Sequence, residues 1–488
     1  MVDPEPGQAT DQATDRGVPP AGGRVALDLT QPARVHVVGI GGAGMSAIAT
    51  VLAGMGHQVS GSDLKDSTGL ERLRALGVDV HVGHDAANLP AALDAVTIST
   101  AVPARNAEVV AAGERGIVVL RRAETLAAIA ATRRSIAVAG THGKTTTSSM
   151  LALVLIEAGL RPSFIIGGEV NEIGTGAVWD EGELLVIEAD ESDGTFLELP
   201  RFGSVVTSIE PDHLEFYGGF EPLKAAFGRF LAETPGPRVV CADDELASTL
   251  GRAAGAVTYG TAPGADYRMT DLQSGRGGSS FGVTHAGQDL GRVQLPIAGD
   301  YNARNAAAAL VMGMELGASF EAGRKALARF AGVARRLEYR GEVDGITFID
   351  DYAHLPSEVA SVLSSTRTGG WGRVVCVFQP HRYSRTEALW RDFADSFGDA
   401  DVVVLTDIYP SGETPRPGIS GTLVAQAVLD AHPWRRLAYL PRRADIVAFL
   451  SAELRPGDLC LTLGAGDLTS MPEEIQTAVR ARYSGSAA

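Results

Sequence analysis

The feature that most constrains this chain is a strand, a glycine loop and a helix in direct succession. An apolar run at 135–139 ends in Gly140-Thr-His-Gly-Lys-Thr145, and an apolar segment of helical length follows. This order is typical of a P-loop, whose backbone N–H groups at a helix N-terminus bind phosphate oxygens. Val138 stands where the general motif has its first glycine, so the loop is shorter. The pattern predicts an ATP site, with Lys144 on the phosphates and the Thr145 hydroxyl on Mg²⁺.

The size and charge of the chain narrow the classes of protein it can belong to. A length of 488 residues favours about three domains, and a net charge of −17 argues against broad nucleic-acid binding. No apolar run approaches the ~20 residues that cross a membrane, and the N-terminus lacks the layout of a signal peptide. The three cysteines are far apart in the sequence, so neither a disulfide framework nor a zinc site is predicted. We expect a cytoplasmic protein.

The N-terminal third has the order strand, helix, strand. A strand at 34–38 leads into Gly39-Ile-Gly-Gly-Ala-Gly44, and an apolar helix at 45–55 and a strand at 58–63 follow. A third strand is predicted at 95–100. This order favours a doubly wound sheet. A complete G-x-G-x-x-G with an acid, Asp63, about 20 residues on is the dinucleotide fingerprint, so NAD is one reading. Any nucleotide diphosphate fits the same helix N-terminus.

Acidic clusters follow two apolar strands of the middle third. The strand at 184–189 runs into Asp190-Glu-Ser-Asp193, and the strand at 204–209 runs into Glu210-Pro-Asp-His213. Acids and a histidine at strand ends beside a P-loop are candidates for Mg²⁺ ligands, and Glu188 and His213 are the two we select. The alternative is a pair of solvated acidic turns. Short strands with glycine turns are predicted at 265–295, before an alanine-rich helix.

The last third contains four apolar strands that each end in polar residues, at 345–351, 374–378, 401–407 and 458–463. They predict one parallel sheet with a site at its carboxyl edge. Arg382 and Arg385 follow the second of these strands. Guanidinium groups there suit a carboxylate or a phosphate, although plain surface charge is the alternative.

In combination, these motifs resemble the Mur ligases of peptidoglycan synthesis, over about residues 34–475. The matching segments are Gly39-Ile-Gly-Gly-Ala-Gly-Met-Ser46, Gly140-Thr-His-Gly-Lys-Thr-Thr146, Glu188-Ala-Asp-Glu-Ser-Asp193, Glu210-Pro-Asp-His213, Asn302-Ala-Arg-Asn305, Asp350-Asp-Tyr-Ala-His354, Phe378-Gln-Pro-His-Arg-Tyr383 and Gly464-Ala-Gly-Asp467. The resemblance implies an α/β protein with an N-terminal Rossmann-like UDP-sugar domain at 31–130. A central P-loop ATPase domain at 131–333 and a C-terminal Rossmann-like amino-acid domain at 334–488 would follow. Residues 1–30 are predicted to be a disordered lead-in.

The resemblance also implies a chemistry. ATP would phosphorylate the lactyl carboxylate of UDP-N-acetylmuramate, and the amine of L-alanine would attack the acyl phosphate to form an amide. The cofactors implied are ATP and Mg²⁺, and the partners are the UDP-sugar and L-alanine, without nucleic acid or membrane. The first glycine loop would then serve the UDP-sugar rather than NAD. Whether the protein is a monomer or a homodimer stays open.

Site residues are carried over from the family by position. The residues implied for ATP are Gly140, Thr141, His142, Gly143, Lys144, Thr145, Thr146, Asn302, Asn305, Arg336 and Asp351. The residues implied for the UDP-sugar and amino acid are Gly41, Gly42, Gly44, Met45, Asp63, Ser99, Thr100, His142, Asn171, Thr175, Arg382 and Arg385. The residues implied for catalysis are Lys144, His213, His354 and Arg336, with His354 either orienting or transferring a proton. The residues implied for metal are Thr145, Glu188 and His213.

Three positions depart from the family's pattern. Sister ligases carry a carbamoylated lysine about fourteen residues after the metal histidine, where this chain has Phe227, and Lys224 is about one helical turn away. The Gly-His-His of the alanine-adding branch reads Ala-His354-Leu here, and Tyr301 replaces a histidine before Asn302. The missing lysine favours the branch that adds L-alanine.

Two other functions are kept as alternatives. A ligase of the same family could join a preformed peptide to UDP-N-acetylmuramate in recycling. From another class, a nucleotide-binding switch or an NAD-dependent oxidoreductase would explain one glycine loop and leave the other without a use.

Overall fold

The computed structural model describes residues 27–99, 101–275, 277–367 and 369–485, which form three β-sheets flanked by helices. The α/β class predicted from the sequence is therefore confirmed. Most of the predicted lead-in, residues 1–26, lies outside the described residues. No helix in the described part of the chain is long and apolar enough to cross a membrane.

The N-terminal sheet is entirely parallel. Its strands are β1 (Arg34–Val38), β2 (Gln58–Asp63), β3 (Asp79–Val82), β4 (Ala95–Ile98) and β5 (Val118–Arg121), and its helices are α1 (Ala43–Gly54), α2 (Thr68–Ala75), α3 (Ala107–Glu114) and α4 (Arg122–Ala130). The spatial order is β3-β2-β1-β4-β5. The strand predicted as third is therefore the fourth, because β3 precedes it. This short edge strand is only half-buried and lacks the apolar run of the inner strands.

The central sheet has ten strands and mixed direction. Its strands are β6 (Arg134–Ala139), β7 (Ser163–Val170), β8 (Thr175–Val178), β9 (Leu184–Glu188), β10 (Gly203–Val206), β11 (Arg238–Cys241), β12 (Val257–Gly260), β13 (Tyr267–Gly275), β14 (Gly278–His285) and β15 (Gln288–Leu295), and its helices are α5 (Lys144–Glu157), α6 (Leu214–Tyr217), α7 (Phe220–Ala232), α8 (Glu245–Ala253), α9 (Asp300–Glu315) and α10 (Phe320–Ala328). The order is β15-β14-β13-β12-β11-β10-β6-β9-β7-β8. The antiparallel strands β13–β15 are the short strands predicted at 265–295.

Close packing of α5 on α9 fixes the P-loop helix. The alanines of α9 are buried, so the two helix backbones lie near each other. At Gly313 an added Cβ would lie 2.5 Å from a methyl group of Val154, which belongs to α5. Small residues at this contact therefore hold α9 against α5 and bring the first turn of α9 beside the P-loop.

The C-terminal sheet is parallel except at one edge. Its strands are β16 (Glu338–Val343), β17 (Ile346–Asp351), β18 (Arg373–Phe378), β19 (Val402–Leu405), β20 (Leu437–Tyr439) and β21 (Asp458–Leu463), and its helices are α11 (Pro356–Arg367), α12 (Tyr383–Leu389), α13 (Thr422–Ala431), α14 (Arg443–Glu453) and α15 (Met471–Gly485). The order is β16-β17-β21-β18-β19-β20, with β16 antiparallel. The four strands predicted here are confirmed as neighbours in one parallel array.

The hydrophobic cores show how the sheets are joined. One buried cluster is continuous from the N-terminal sheet, at Val37, to the central sheet, at Ile187, whereas the C-terminal sheet has a core of its own on each face. The N-terminal elements end at Ala130 and the central ones begin at Arg134, while α10 ends at Ala328 and β16 begins at Glu338. The predicted domain boundaries near 130 and 333 lie in these two intervals and remain a prediction.

Candidate active site

The P-loop has the strand, loop and helix that its sequence predicts, and its glycines are required by space. Gly140 has a φ of +126° and Gly143, the N-cap of α5, a φ of +81°. An added Cβ would lie 2.2 Å from Thr207 Oγ1 at the first position and 2.3 Å from Asn305 Oδ1 at the second. The loop is thus pressed between the segment just after β10, at Thr207, and the second turn of α9, at Asn305. Only glycine fits either position.

Lys144 is folded back over the loop and paired with a buried acid. Its Nζ donates to the carbonyl of Gly140 at 2.9 Å and lies 3.0 and 2.9 Å from the two carboxylate oxygens of Glu191. Burial alone would lower the pKa of Lys144, but the carboxylates of Glu191 and Asp190 raise it above its usual value. Lys144 is therefore a fixed cation at the mouth of the P-loop.

Two groups of hard ligands lie beside Lys144. In the first, Thr145 Oγ1 donates to Glu188 Oε1 at 2.9 Å, and the N–H of Gly167 donates to the other oxygen of Glu188 at 2.7 Å. In the second, ligand atoms of Asp190, Glu191 and His213 lie within 4.8 Å of one another. Oxygen-rich sets of this kind fit Mg²⁺. Of the three residues predicted for metal, Thr145 and Glu188 belong to the first group and His213 to the second, where Asp190 and Glu191 accompany it.

Phe227, which occupies the position of the sister ligases' carbamoylated lysine, belongs to the hydrophobic core. Phe227 is fully buried in α7, 5.2 Å from the Phe196 ring, which stacks on Phe230 at 5.0 Å between centroids. The ammonium of Lys224 lies over the Phe220 ring at 5.2 Å. Neither Phe227 nor Lys224 lines the large cleft that contains the P-loop. The carboxylates beside His213 in this chain are those of Asp190 and Glu191, where the sister ligases have the carbamoylated lysine.

A cleft of about 1110 Å³ lies between the central and C-terminal sheets. Of the residues predicted for ATP, all but Gly140 line it. Asn302 Nδ2 donates to the Ala298 carbonyl at 2.8 Å. The Nδ2 of Asn305 is buried and has no hydrogen-bond partner within the described part of the chain. An unpaired buried donor beside a P-loop fits a ligand that supplies the acceptor.

The C-terminal wall of the cleft carries a cluster of imidazoles and guanidiniums. Arg385 donates to His381 Nδ1 at 3.0 Å, and the His381 and His354 rings meet edge to face at 5.7 Å. Burial and the nearby His354, Arg385 and Arg382 lower the pKa of His381 to about 3, so this imidazole is neutral. The two predicted arginines, Arg382 and Arg385, both line the cleft beside it.

Glu358, on the first turn of α11, is the acid at the centre of this wall. Its Oε2 accepts from the N–H groups of His354 and Leu355 at 2.9 and 3.1 Å. Burial would raise the pKa of Glu358, but the charges of His354 and Arg336 and these hydrogen bonds bring it to about 2. Glu358 is therefore a carboxylate at any physiological pH.

The two sides of the cleft touch at His142 of the P-loop. Its Nε2 lies 3.2 Å from Glu210 Oε2 and 3.4 Å from the hydroxyl of Ser357 on α11. Burial alone would lower the pKa of His142, but Glu210 and then Glu358 raise it. Arg336 and Asp351, predicted to reach ATP from the C-terminal side, line the same cleft. Burial raises the pKa of Asp351 to about 6 although the charge of Arg336 opposes this.

The glycine loop after β1 forms a second, smaller site. Asp63 Oδ2 accepts from the N–H of Gly41 at 2.9 Å, so the acid holds the loop itself. An added Cβ at Gly39 would lie 3.9 Å from Ser99 Oγ. A cavity of about 130 Å³ beside this loop is lined by Gly44 and shares three residues with the large cleft, which are Gly167, Glu188 and Asp190. The two sites therefore meet at the predicted metal ligand Glu188.

Of the described residues predicted for substrate binding, Gly44, His142, Arg382 and Arg385 line one of the two cavities, whereas Gly41, Gly42, Met45, Asp63, Ser99, Asn171 and Thr175 line neither. The Met45 side chain is buried in the core. Asn171 Nδ2 donates to the Ala331 carbonyl at 3.1 Å and Thr175 Oγ1 to the Ala177 carbonyl at 3.2 Å, and neither residue lines the cleft or the smaller cavity. Thr100 lies outside the described residues.

Several cleft residues were missed by reasoning from the sequence. Glu358 is four residues after His354 and reads as an ordinary first-turn acid of a helix. Asp190 and Glu191 belong to an acidic turn, and the sequence alone does not distinguish them as ligands from its other acids. Arg122, the first residue of α4, lines the smaller cavity, with Nη1 3.1 Å from an added Cβ at Gly44. The sequence feature that indicates a site here is the position of Asp190 and Glu191 directly after an apolar strand, at the carboxyl edge of the sheet.

Comparison with known families agrees with this arrangement. Three family models match, described as Mur ligase family, catalytic domain (residues 34–134), Mur ligase middle domain (residues 138–313) and Mur ligase, glutamate ligase domain (residues 335–466).

Two relatives and one solved structure match about nine-tenths of the chain. The chain is 46% identical over 446 residues to a UDP-N-acetylmuramate–L-alanine ligase of Pelotomaculum thermopropionicum, covering 90% of this chain and 96% of that protein. It is 47% identical over 452 residues to one of Kineococcus radiotolerans, covering 91% and 95%. The crystal structure of the UDP-N-acetylmuramate–alanine ligase of Thermotoga maritima superposes with a TM-score of 0.77 at 28% identity, covering 93% of this chain and 100% of that one. The sequence motifs, the three-sheet fold, the family models and the relatives agree, and the chain belongs to the Mur ligase family.

Proposed function

We propose that the protein is an ATP-dependent ligase that joins L-alanine to the lactyl carboxylate of UDP-N-acetylmuramate, with release of ADP and phosphate. The relatives that are 42–47% identical over about nine-tenths of the chain carry this activity in their names. The reaction is the first peptide step of peptidoglycan precursor synthesis.

The observation that carries the proposal is the meeting of two cavities at Glu188. The smaller one begins at the glycine loop, where a nucleotide diphosphate fits the N-terminus of α1, and the larger one contains the P-loop. A UDP-sugar that enters by the first cavity would bring its carboxylate to the γ-phosphate of ATP in the second. Gly41, Gly42 and Asp63 serve the nucleotide end of that substrate.

Phosphorylation of a carboxylate by ATP brings two anions together, so the site needs positive charge. Lys144 supplies a fixed cation at the loop, and Arg336 approaches from the C-terminal wall. Mg²⁺ held by Thr145, Glu188 and the cluster of Asp190, Glu191 and His213 would neutralise phosphate charge and polarise the transferred phosphoryl group. Asn302 and Asn305 hold the adenine end of ATP, and Asp351 its ribose.

The amino acid takes the C-terminal end of the cleft. Arg382 and Arg385 line it together, and paired guanidiniums bind a carboxylate with parallel hydrogen bonds. The amine would then point toward the acyl phosphate formed between Lys144 and Arg336. Burial of the site between two sheets excludes water from an intermediate that hydrolyses easily.

The test is phosphate release by the purified protein with ATP, Mg²⁺ and UDP-N-acetylmuramate, with L-alanine, with a preformed peptide or with no amine. Release that requires both the sugar and L-alanine supports the proposal. Lys144→Ala should reduce it by at least about 100-fold, because the loop's phosphate-facing cation is lost.

The same assay separates the alternatives. Release with the peptide but not with L-alanine would identify a recycling ligase. Release of no phosphate with any amine, from folded protein, would contradict the ligase function. Arg324→Ala, a change in an exposed helix-surface ion pair of α10, is the control that should leave release unaltered.

A further inference from the structure

The feature without a role in this account is the contact between the β7–β8 hairpin and the linker that leads into the C-terminal sheet. The linker is residues 329–337, between α10 and β16, and the hairpin turn is residues 169–174, where β7 gives way to β8. Side chains of the turn bond to linker residues 159 and 160 positions away in the sequence. Arg336, which approaches ATP in the proposed reaction, belongs to this linker.

The linker pairs with the hairpin over a short stretch of backbone. Val170 and Val333 form an antiparallel bridge, and both side chains are buried. The N–H of Ala334 donates to the carbonyl of Glu169 at 3.2 Å. An added Cβ at Gly168 would lie 2.7 Å from a methyl carbon of Val333, so a larger residue at this position would push the linker away. The linker is therefore packed directly on the end of β7.

Two side chains of the turn hold the linker just before this bridge. Asn171 Nδ2 donates to the carbonyl of Ala331 at 3.1 Å, and the N–H of Ala331 donates to Glu172 Oε1. The backbone N–H of Asn171 donates to the carbonyl of Gly332 at 3.4 Å. Because Ala331 is exposed, water would serve its polar groups as well, and such bonds add little to stability. Their effect is on the position of the linker.

The position of the linker sets the position of Arg336. The N–H of Arg336 donates to the carbonyl of Val333 at 3.0 Å, so the chain turns directly after the bridge. Burial would lower the pKa of Arg336, but the charges of Asp351 and of two glutamates, one of them Glu188, raise it. Asp351 belongs to the C-terminal sheet and Glu188 to the central one. The guanidinium is therefore held where the two sheets face each other.

Strand β7 connects this linker with both cavities of the site. Ile165 and Ile166 line the smaller cavity, Gly168 lines the large cleft, and Gly167 lines both. The N–H of Gly167 donates to Glu188 Oε2 at 2.7 Å. One strand thus runs from the cavity proposed for the UDP-sugar, past the predicted metal ligand, to the turn that holds the linker.

Resting on the proposed function, we infer that Asn171 and Glu172 are positioning residues, which hold the linker against the hairpin so that Arg336 reaches the phosphate transferred from ATP. Both lie outside the two cavities. The side chain of Asn171 is directed to the linker, instead of making the contact with the sugar that the family resemblance implies. A displacement of about 1 Å at a group that acts on the reacting atoms costs about 100-fold in rate.

The experiment is a double-mutant cycle between the turn and Arg336. The turn variant combines Asn171→Ala with Glu172→Ala, and it is compared with wild type, with Arg336→Ala and with the combination of all three changes. Phosphate release is measured with ATP, Mg²⁺, UDP-N-acetylmuramate and L-alanine. Changes that act through one another are not additive, whereas independent changes are.

Two further variants are controls. Glu172→Gln keeps an oxygen that accepts from Ala331, so it should restore what Glu172→Ala loses. Glu181→Ala removes a glutamate at the opposite end of the same hairpin, where it is exposed and paired with Arg161. Its release of phosphate should match that of the wild type.

We expect the turn variant to lower kcat by about 10–100-fold, with KM for UDP-N-acetylmuramate unaltered. Arg336→Ala should lower kcat by about 10²–10³-fold, and adding the turn changes to it should have almost no further effect. Equal losses from the turn changes in both backgrounds, or no loss at all, would overturn the inference. A rise confined to KM for UDP-N-acetylmuramate would also overturn it, because Asn171 would then contact the sugar.

Limited proteolysis follows the linker without any activity. Arg329 and Arg335 flank the stretch that the turn holds, and trypsin cleaves after arginine where the backbone is released. Fragments ending at these residues should form faster from the turn variant than from wild type or Glu181→Ala, at similar melting temperatures. Equal cleavage in all three proteins would show that the two side chains do not hold the linker. Wild type that releases no phosphate with L-alanine would overturn the proposed function, whatever the proteolysis shows.

Discussion

Replacing Gly143 by alanine tests whether the P-loop is held in shape by its contact with α9. Two costs are expected from the structure. The first is the backbone, because a φ of +81° is unfavourable for an L-residue by about 1–2 kcal/mol. The second is crowding, because the new Cβ would lie 2.3 Å from Asn305 Oδ1 and 3.0 Å from two further atoms of that amide.

The crowding cost is about 1–3 kcal/mol, as for other overpacked interiors. Asn305 is only 5% exposed, so its amide has little room to turn away. The total expected loss in the free energy of unfolding is therefore about 2–5 kcal/mol. If the loop or Asn305 yields by about 1 Å instead, ATP is misplaced, and kcat/KM for ATP should fall by about 100-fold.

A matched control lies at the other end of the same helix. Gly159, just past the end of α5, has a φ of +75° and nothing within 4 Å of an added Cβ. Gly159→Ala should therefore show the backbone cost alone, about 1–2 kcal/mol, with kcat/KM for ATP unaltered. Denaturant unfolding and the ATP dependence of phosphate release are measured for wild type and both variants.

The difference between the two variants isolates the contact with Asn305. Equal destabilisation of Gly143→Ala and Gly159→Ala, together with a wild-type kcat/KM for ATP in both, would refute the reasoning. It would mean that α9 does not set the shape of the loop.

Three shorter predictions concern stability and metal. Burial raises the pKa of Asp351 to about 6, so its protonated form contributes stability below about pH 4 that is lost as the pH rises through 6, about 2–3 kcal/mol in all. Denaturant unfolding at pH 4 and pH 7.5 should show this decrease in the free energy of unfolding for the wild type and not for Asp351→Asn. An equal decrease in both proteins would contradict the assignment. Phe227→Lys should lower the free energy of unfolding by at least about 3–5 kcal/mol, because it removes a buried ring and adds an unpaired charge; thermal melting that Mg²⁺ restores to wild type would instead reveal a new metal ligand. His213→Asn should raise the Mg²⁺ concentration for half-maximal activity by about 10-fold or more, and an unchanged Mg²⁺ titration would remove His213 from the metal site.

The elements with strong local patterns could be predicted from the sequence. The inner strands β1, β6, β9 and β18 are continuous apolar runs, and each glycine loop marks the start of a helix. The edge strands β3 and β20 could not, because they are short and half-buried, and an edge strand needs no apolar run.

The site could be predicted where function leaves a local motif. Lys144, Thr145 and Asn305 belong to such motifs and meet in one cleft. Glu358 does not, since two of the charged residues that act on it, Arg336 and His142, come from distant stretches of chain, and only packing brings them close. Met45 shows the opposite error, because it follows a glycine loop in sequence but faces the core.

The most direct test of the account follows the oxygen atoms of the lactyl carboxylate. UDP-N-acetylmuramate labelled with ¹⁸O in both oxygens of this carboxylate is incubated with the protein, ATP, Mg²⁺ and L-alanine, and the phosphate and the sugar product are analysed by mass spectrometry. The account predicts one ¹⁸O in the released phosphate and one in the new amide, in a product heavier by one alanyl group. Unlabelled phosphate, or ATP consumption without the alanyl product, would contradict amide formation through an acyl phosphate in this protein.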